Sequence, residues 1–530
     1  MNQGNPHRIF GRLVALMIAI SGGFSWEVTA DDARPNFLII LADDLGYGDV
    51  QCYNPDRGKI STPHLDRLAA QGMKFTDGHS SSAGCTPSRY SLLTGRYDVR
   101  NRMEGVGVFG AFGGPPLIPE NRLTIASLVK QRGYRTECMG KWHVGWEWPI
   151  ERAERELLGT RQTNTLEEHY VPPTVTAEQR SAWQRIFARP IGGGPTALGF
   201  DGYFGIDSAG WPPFCFIEYD RTVGVPNRLL SAAELPRDYS IAASQGPANE
   251  DWRFVATMPE IAKRACETIA SSASSKLPFL LYLPLPAPHQ PWAVSDEWRG
   301  KSGLGTYADW VMQLDATVGR VIDALDRTDA AGNTLVLFGS DNGFAGYSLK
   351  KLNDQGHFPS GPLRGSKAQA YEGGHHEPFI ARWPAVVKPG SVCSQLVLQT
   401  DIFATIADTL QIEVPDDAGE DSFSFLPLLR GESRAVREHA IHSSGQGAYA
   451  LRRGSWKLIV DTADKLKPPV QLYNLADDVG ERKNLADVEP ARVAEMRALL
   501  MKLIHDGRST PGRPQPNDGK LTRFATASQR

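Results

Sequence analysis

Two short segments set side-chain oxygen ligands side by side at points where the chain turns. "LADDLGYG" carries Asp43 and Asp44, and "SDNG" carries Asp341 and Asn342. Consecutive strand residues point to opposite faces, so neighbouring carboxylates converge on one ion only where a strand has ended. Gly46 and Gly48 follow the first pair and permit such a turn. Three carboxylates and an amide are hard oxygen ligands, with no thiolate or imidazole among them. That set favours Ca²⁺, with Mg²⁺ second, over zinc.

A third segment, "GCTPSRYSLLTGR", reads as a helix start. Thr86 and Pro87 suit the N-cap and first helical positions, and Ser88 to Thr94 form a short helix that stops at Gly95. Cys85 then lies where free N–H groups and the helix dipole favour negative charge. Arg89, one turn on, is placed to reach back to an anion as a two-pronged donor. Taken alone, Cys85 is open to four readings: a buried small hydrophobe, half of a disulfide, a thiol nucleophile, or the precursor of another group.

The elements that must position these residues are legible as apolar runs. "NFLIILA" (36–42), "RTECMG" (135–140), "PFLLYLPL" (278–285), "NTLVLFGS" (333–340) and "PFIARWP" (378–384) are mostly continuous, as in strands buried on both faces. Helical patterns separate them at 62–72, 124–133, 258–272 and 307–327. The alternation predicts an α/β fold with a mainly parallel, doubly wound sheet and helices on both faces. Asp43-Asp44, "KWHVG", "PAPHQPW" and Asp341-Asn342 each follow one of these strands. Ligands of open α/β sheets bind beyond the carboxyl ends of the strands, so the four clusters are expected in one crevice.

The expected organisation is a leader over 1–30, a catalytic domain over 31–432 and a small C-terminal α+β subdomain over 433–507 with an antiparallel sheet. The catalytic domain carries an irregular insertion at 150–255, expected over one face of the sheet, and a flexible tail is expected at 508–530. Arg8 and Arg12, the apolar run Leu13–Ile20 and the small residues before Ala30 resemble a secretory signal. No cysteine precedes Cys52, which excludes lipid attachment at the cleavage point. The mature protein is expected to be soluble and exported, periplasmic or extracellular, without an integral membrane segment. A net charge of −3 gives no case for nucleic acid as partner. The six cysteines are scattered without a zinc-type pair, so mostly free thiols are expected.

C-x-P-S-R followed by "TGR" resembles the signature of the type I sulfatases in the alkaline-phosphatase-like superfamily, the bacterial carbohydrate sulfatases among them. The resemblance extends from about Pro35 to Asp487 and includes "PNFLIILADDLGYGD", "GYRTECMGKWHVG", "PAPHQPW", "FGSDNG", "LRGSKAQAYEGGH" and "LYNLADDVGERKNLAD". It implies that a separate maturing enzyme oxidises Cys85 to Cα-formylglycine. The hydrated aldehyde then attacks sulfur, forms a covalent sulfo-enzyme, and expels sulfate through its second hydroxyl. Asp43, Asp44, Asp341 and Asn342 match calcium ligands. Arg89 matches the residue that holds the nucleophile region, and Lys141 and His143 match the pair beside the formylglycine, His143 as base. His289 matches the histidine at the leaving oxygen, a general acid together with Lys367, and Lys367 matches the sulfate-binding lysine.

Ser366 in "GSK" and His376-Glu377 in "GGHHEP" depart from the commoner family pattern and leave the shape near Lys367 open. The stretch 202–224 resembles a segment of carbohydrate sulfatases, which makes Asp207, Trp211 and His357 candidates for the sugar pocket. The implied activity is hydrolysis of sulfate monoesters, with a sulfated carbohydrate as substrate. Alternatives are a phosphonate or phosphate ester hydrolase of the same superfamily, or a glycan-binding protein if Cys85 is not converted.

Overall fold

The computed structural model describes residues 1, 34–105, 107–162, 174–231, 234–235, 244–275, 277–347 and 349–521. Apart from Met1, the expected leader lies outside the described residues. Among the described residues ten strands form the central sheet. In chain order they are β1 (Asn36–Asp43), β2 (Met73–Phe75), β3 (Arg135–Lys141), β4 (Gly202–Ile206), β5 (Ile217–Glu218), β6 (Arg221–Thr222), β7 (Phe279–Pro288), β8 (Thr334–Ser340), β9 (Phe379–Arg382) and β10 (Ser391–Cys393). Their spatial order is β10-β2-β9-β8-β1-β7-β3-β4-β5-β6. The central run from β8 to β4 is parallel, and both margins turn antiparallel.

Strand β1 shows why the apolar runs are continuous. Phe37, Ile39 and Leu41 enter one apolar cluster with Leu92 and Leu93 of α2 (Cys85–Thr94). Leu38, Ile40 and Ala42 enter a second cluster on the other face. There they meet α3 (Thr257–Ser275) through Ile261 and Ala265, and α4 (Thr306–Asp326) through Val311 and Leu314. A strand covered on both faces is apolar along its length, and the polar residues of β1, Asn36 and Asp43, fall at its two ends.

A second sheet, β11 (His439–Ser443), β12 (Ala448–Arg453), β13 (Trp456–Asp461) and β14 (Val470–Asn474), is an antiparallel meander. It is covered by Met496, Leu500, Leu503 and Ile504 of α5 (Pro490–His505). Buried Lys457 of β13 joins it to the main body, with Nζ 2.9 Å from Glu372 and 3.0 Å from Glu481. Burial alone would raise the Glu372 carboxyl. Lys457, helped by His376, His79 and His375, holds it well below the usual carboxylate range. Strand β11 also meets the segment leading into α2: Ser443 N–H donates to Ser81 O at 2.9 Å, and Ala83 N–H to Ser443 O at 2.9 Å.

Three expectations change. Helix α2 begins at Cys85 with Gly84 as N-cap, because the Thr86 hydroxyl accepts from Phe109 N–H at 3.2 Å instead of capping the helix. The 150–255 insertion does more than cover one face, since β4 continues the parallel sheet beside β3 and β5–β6 extend it. Residues 508–521 are anchored rather than loose. Arg508 pairs with Asp416 at 2.7 Å, and Asp518 pairs with buried Arg96 at 2.8 Å. The rest of the expected tail, 522–530, lies outside the described residues.

Candidate active site

The parallel register brings the strand ends level. Ala42 is opposite Ser340, Asp43 opposite Pro288, and Lys141 opposite Ile206. Asp43, Lys141, His289 and Asp341 therefore leave the sheet along one edge, the crevice expected from the sequence. Asp44 makes the turn itself, with φ of 70°, and its N–H donates to Asp341 Oδ1 at 3.2 Å. Gly46 has an ordinary φ of −76°. It is glycine because a Cβ there would stand 2.3 Å from the Pro359 carbonyl oxygen.

Asp49 pins this turn. Its carboxylate accepts from Gly46 N–H at 2.9 Å, from the Tyr307 hydroxyl at 2.5 Å and from His357 Nε2 at 2.8 Å. His357 Nδ1 accepts the Lys59 N–H at 3.0 Å, so the ring proton must lie on Nε2. With both nitrogens engaged and 0% exposure, His357 supports the turn after β1 and is closed off from any sugar pocket. Asp207 is also buried, against Gly113. Burial pushes its carboxyl up to about 7 against the pull of Lys141. Trp211 is half-buried and rests on Gly110, next to Phe109.

Cys85 is fully buried at the centre of the cluster. Its Sγ lies 3.3 Å from Asp43 Oδ1, 3.8 Å from Asp44 Oδ1 and 3.1 Å from Lys367 Nζ. Burial, then the charge on Asp341, pushes the thiol well above its ordinary value, so Cys85 is a poor thiolate nucleophile. Around it, Lys141 Nζ bonds Asp43 at 2.5 Å and Lys367 Nζ bonds Asp44 at 2.6 Å. Arg89 does not reach back to position 85 with its hydrogen bonds. Its Nε donates to Asp341 Oδ2 at 2.9 Å, Nη2 lies 2.8 Å from the same oxygen as an ion pair, and Nη1 donates to Lys141 O at 2.7 Å.

Burial would raise Asp43, but Lys141, with Arg89 and Lys367, holds it well below the usual range. Asp341 is pushed up to about 7 by burial and by the negative charge of Asp43, despite Arg89. Lys367 loses some basicity to burial, but Asp44 and its neighbours more than restore it, so the ammonium stays charged. Burial and Lys141 hold His143 well below the ordinary imidazole value. Its Nε2 bonds the Phe109 carbonyl at 2.8 Å, which fixes the proton there and leaves buried Nδ1 as a lone pair with no partner. The Phe109 carbonyl was missed from sequence because its role is carried by backbone. His289 is brought down to about 4 by burial, against Asp43 and Asp44. Its Nδ1–H donates to Gln290 O at 2.5 Å, so bare Nε2 faces Asp44 Oδ2 at 3.8 Å.

The donor set fits a metal cation. Asp44 Oδ2 and Asn342 Oδ1 are buried acceptors without a hydrogen-bond partner. Asp44 Oδ2 and His289 Nε2 face one another as two acceptors with no proton between them. Asp43, Asp44, Cys85 and His289 offer ligand atoms within 4.8 Å of one another. Positive charge belongs in such a gap.

The sheet and this edge define an α/β protein with a buried, charged, metal-fitting centre beyond the carboxyl ends of its parallel strands. Comparison with known proteins makes the class specific. The sulfatase profile matches residues 35–181 and 235–412, and the N-sulphoglucosamine sulphohydrolase C-terminal profile matches 366–509. An N-acetylgalactosamine-6-O-sulfatase of Bacteroides thetaiotaomicron is 32% identical, over 92% of this chain and 98% of its own length. Human arylsulfatase A is 30% identical, over 96% and 94%. A solved sulfatase structure described with glycosaminoglycan metabolism in Bacteroides thetaiotaomicron superposes with a TM-score of 0.74 at 30% identity, covering 89% of this chain and 99% of that one. The chain belongs to the sulfatase family and is a sulfuric ester hydrolase. No helix among the described residues is long and apolar enough to cross a membrane.

Proposed function

We propose that this sulfatase removes sulfate from a sulfated glycan after export, with position 85 as nucleophile once Cys85 has become formylglycine. Asp43, Asp44, Asp341 and Asn342 are assigned to hold Ca²⁺. The observation that carries the reading is the meeting of Sγ, two carboxylates and Lys367 within 3.1–3.8 Å at the start of a buried helix. When present, the aldehyde hydrate supplies an attacking oxygen and a second hydroxyl for release of sulfate, and the cation supplies positive charge against the sulfuryl oxygens.

The chain's own residues do the rest. Three carboxylates (Asp43, Asp44, Asp341) face three cations (Arg89, Lys141, Lys367), so an added divalent ion leaves the centre positive and suited to an anionic ester. Arg89 fixes Asp341, and Lys141 fixes Asp43. Lys367, held charged, binds a sulfuryl oxygen and is a proton source for the leaving alcohol. His143 Nδ1, bare and unpartnered, is the base that removes a proton at position 85. His289 has to gain a proton at Nε2 before it can give one away, and an anionic ester beside it favours that gain. Trp211 is proposed as an apolar wall for the sugar ring, and Asp207 as support for the His143 loop.

The glycan assignment rests on the relative whose name specifies N-acetylgalactosamine 6-sulfate. The test combines sulfate release from defined sulfated saccharides with the mass of the tryptic peptide Phe75–Arg89, using protein co-expressed with a maturing enzyme. Conversion exchanges sulfur for oxygen with loss of two hydrogens. An unmodified thiol in fully active protein refutes the assignment of position 85.

A further inference from the structure

Glu377 belongs to "GGHHEP", the stretch that departs from the commoner family pattern, and the catalytic reading leaves it without a task. It is 1% exposed and lies just before β9. Among the described residues its side-chain partners are a hydroxyl and an amide, neither of them charged. Ser80 Oγ lies 2.8 Å from Glu377 Oε1, and Gln399 Nε2–H donates to Glu377 Oε2 at 3.5 Å. Ser80 Oγ also lies 2.6 Å from Ser82 O. A carbonyl oxygen only accepts, so at 2.6 Å the single hydroxyl proton of Ser80 goes to Ser82 O. The 2.8 Å contact then needs a proton from the other side, and Glu377 has to carry it on Oε1. Burial pushes this carboxyl well above its ordinary value, and the charges on Asp341 and Glu372 push the same way, against the Ser80 hydroxyl and amide.

The acid sits between the two halves of the centre. On one side, Ser82 O also accepts from the Ser88 hydroxyl of α2 at 2.9 Å, so Glu377, Ser80 and Ser82 brace the helix start that holds Cys85. On the other, Gln399 Nε2 donates to the carbonyl of Ser340, the last residue of β8 before Asp341. Three carboxylates at the centre are already matched by three cations. A fourth carboxylate near Asp341 would cancel part of the positive charge that an anionic ester needs.

We infer that Glu377 acts as a neutral carboxylic acid, a positioning residue whose proton goes to Ser80 Oγ and which ties the start of α2, with position 85, to the strand end that carries Asp341. The inference rests on the reading of position 85 as nucleophile and Asp341 as metal ligand, and extends it to the group that sets one against the other.

The test uses the full, matured chain with Glu377→Gln and Glu377→Met. An infrared difference spectrum at pH 7, unsubstituted chain minus Glu377→Gln, should show the carbonyl stretch of one protonated carboxyl. The paired stretches of a carboxylate in its place overturn the inference. Gln keeps a donor for Ser80, whereas Met fills the space without one. Sulfate release from nitrophenyl sulfate is expressed per formylglycine in the peptide Phe75–Arg89. It should match the unsubstituted chain in Glu377→Gln and fall about 10²-fold in kcat, with KM retained, in Glu377→Met. A Gln variant as impaired as the Met variant, or a Met variant with full turnover, overturns the positioning role. Should Glu377→Met fail to fold, the spectrum and the Gln variant still decide. An unmodified thiol at position 85 in active protein would count against the nucleophile reading instead, and the infrared band would still report the proton on Glu377.

Discussion

His143 and His289 are both held neutral by burial, yet their protons sit on different nitrogens, because one ring bonds a carbonyl through Nε2 and the other through Nδ1. Each presents one bare nitrogen. His143→Ala is expected to lower kcat by about 10²–10⁴-fold while the fold persists, as for loss of a general base; unchanged kcat removes His143 from that role. Because its ring stays unprotonated well below the ordinary imidazole value, the acid limb of kcat/KM should fall below about pH 6.5. A limb at or above that pH in the pH–rate profile would contradict the assignment. Calcium chelation is expected to abolish turnover and lower Tm, since it leaves Asp43 and Asp341 to repel each other, and Ca²⁺ should restore both better than Mg²⁺. These residues were legible through their place after strands. His357 was not, because a histidine that supports a turn and one that lines a pocket look alike until the partners of both ring nitrogens are known.

At the scale of elements, the continuous apolar runs were sufficient to locate β1, β3, β7, β8 and β9. Short marginal strands such as β2 and β10 were not visible, since three residues carry no period. The start of α2 was misplaced because tertiary contact with Phe109 took the Thr86 hydroxyl that local rules assign to a cap. The junction between the two sheets is set by long-range pairing that no local pattern encodes. Lys457→Met should expose its importance: it removes the ammonium shared by buried Glu372 and Glu481, leaving only His376 and Arg452 beside Glu372, and is expected to cost about 3–5 kcal/mol in denaturant unfolding at pH 7. Glu372 is depressed in the folded state, so its contribution is present above the unfolded carboxylate value of about 4.3 and is lost as pH falls through the lower folded one. The gap between wild type and variant should therefore narrow in acid. A gap independent of pH would mean that packing, not charge, is what Lys457 provides.

Across the whole molecule, residues 508–521 fold back onto the main body. Arg96 is fully buried and leans on Glu420 and on Asp518, which belongs to the segment that composition marked as loose. Composition reports what a segment can do alone, not which buried guanidinium awaits it. Truncation after Gly507 should therefore lower Tm and unfold the protein at lower denaturant; an unchanged midpoint would show that the segment is dispensable. The burial of every residue in α2 has a consequence of another kind, in the order of events during biogenesis. If Cys85 is converted as proposed, a second enzyme could not grasp a helix enclosed by core on all sides, so the conversion is expected to come before folding finishes. Each molecule would have one opportunity. Chains that fold first would then remain thiols, and treating the purified, folded protein with a maturing enzyme should leave its peptide mass unchanged. Specific activity would then measure the outcome of a race between modification and folding in the producing cell.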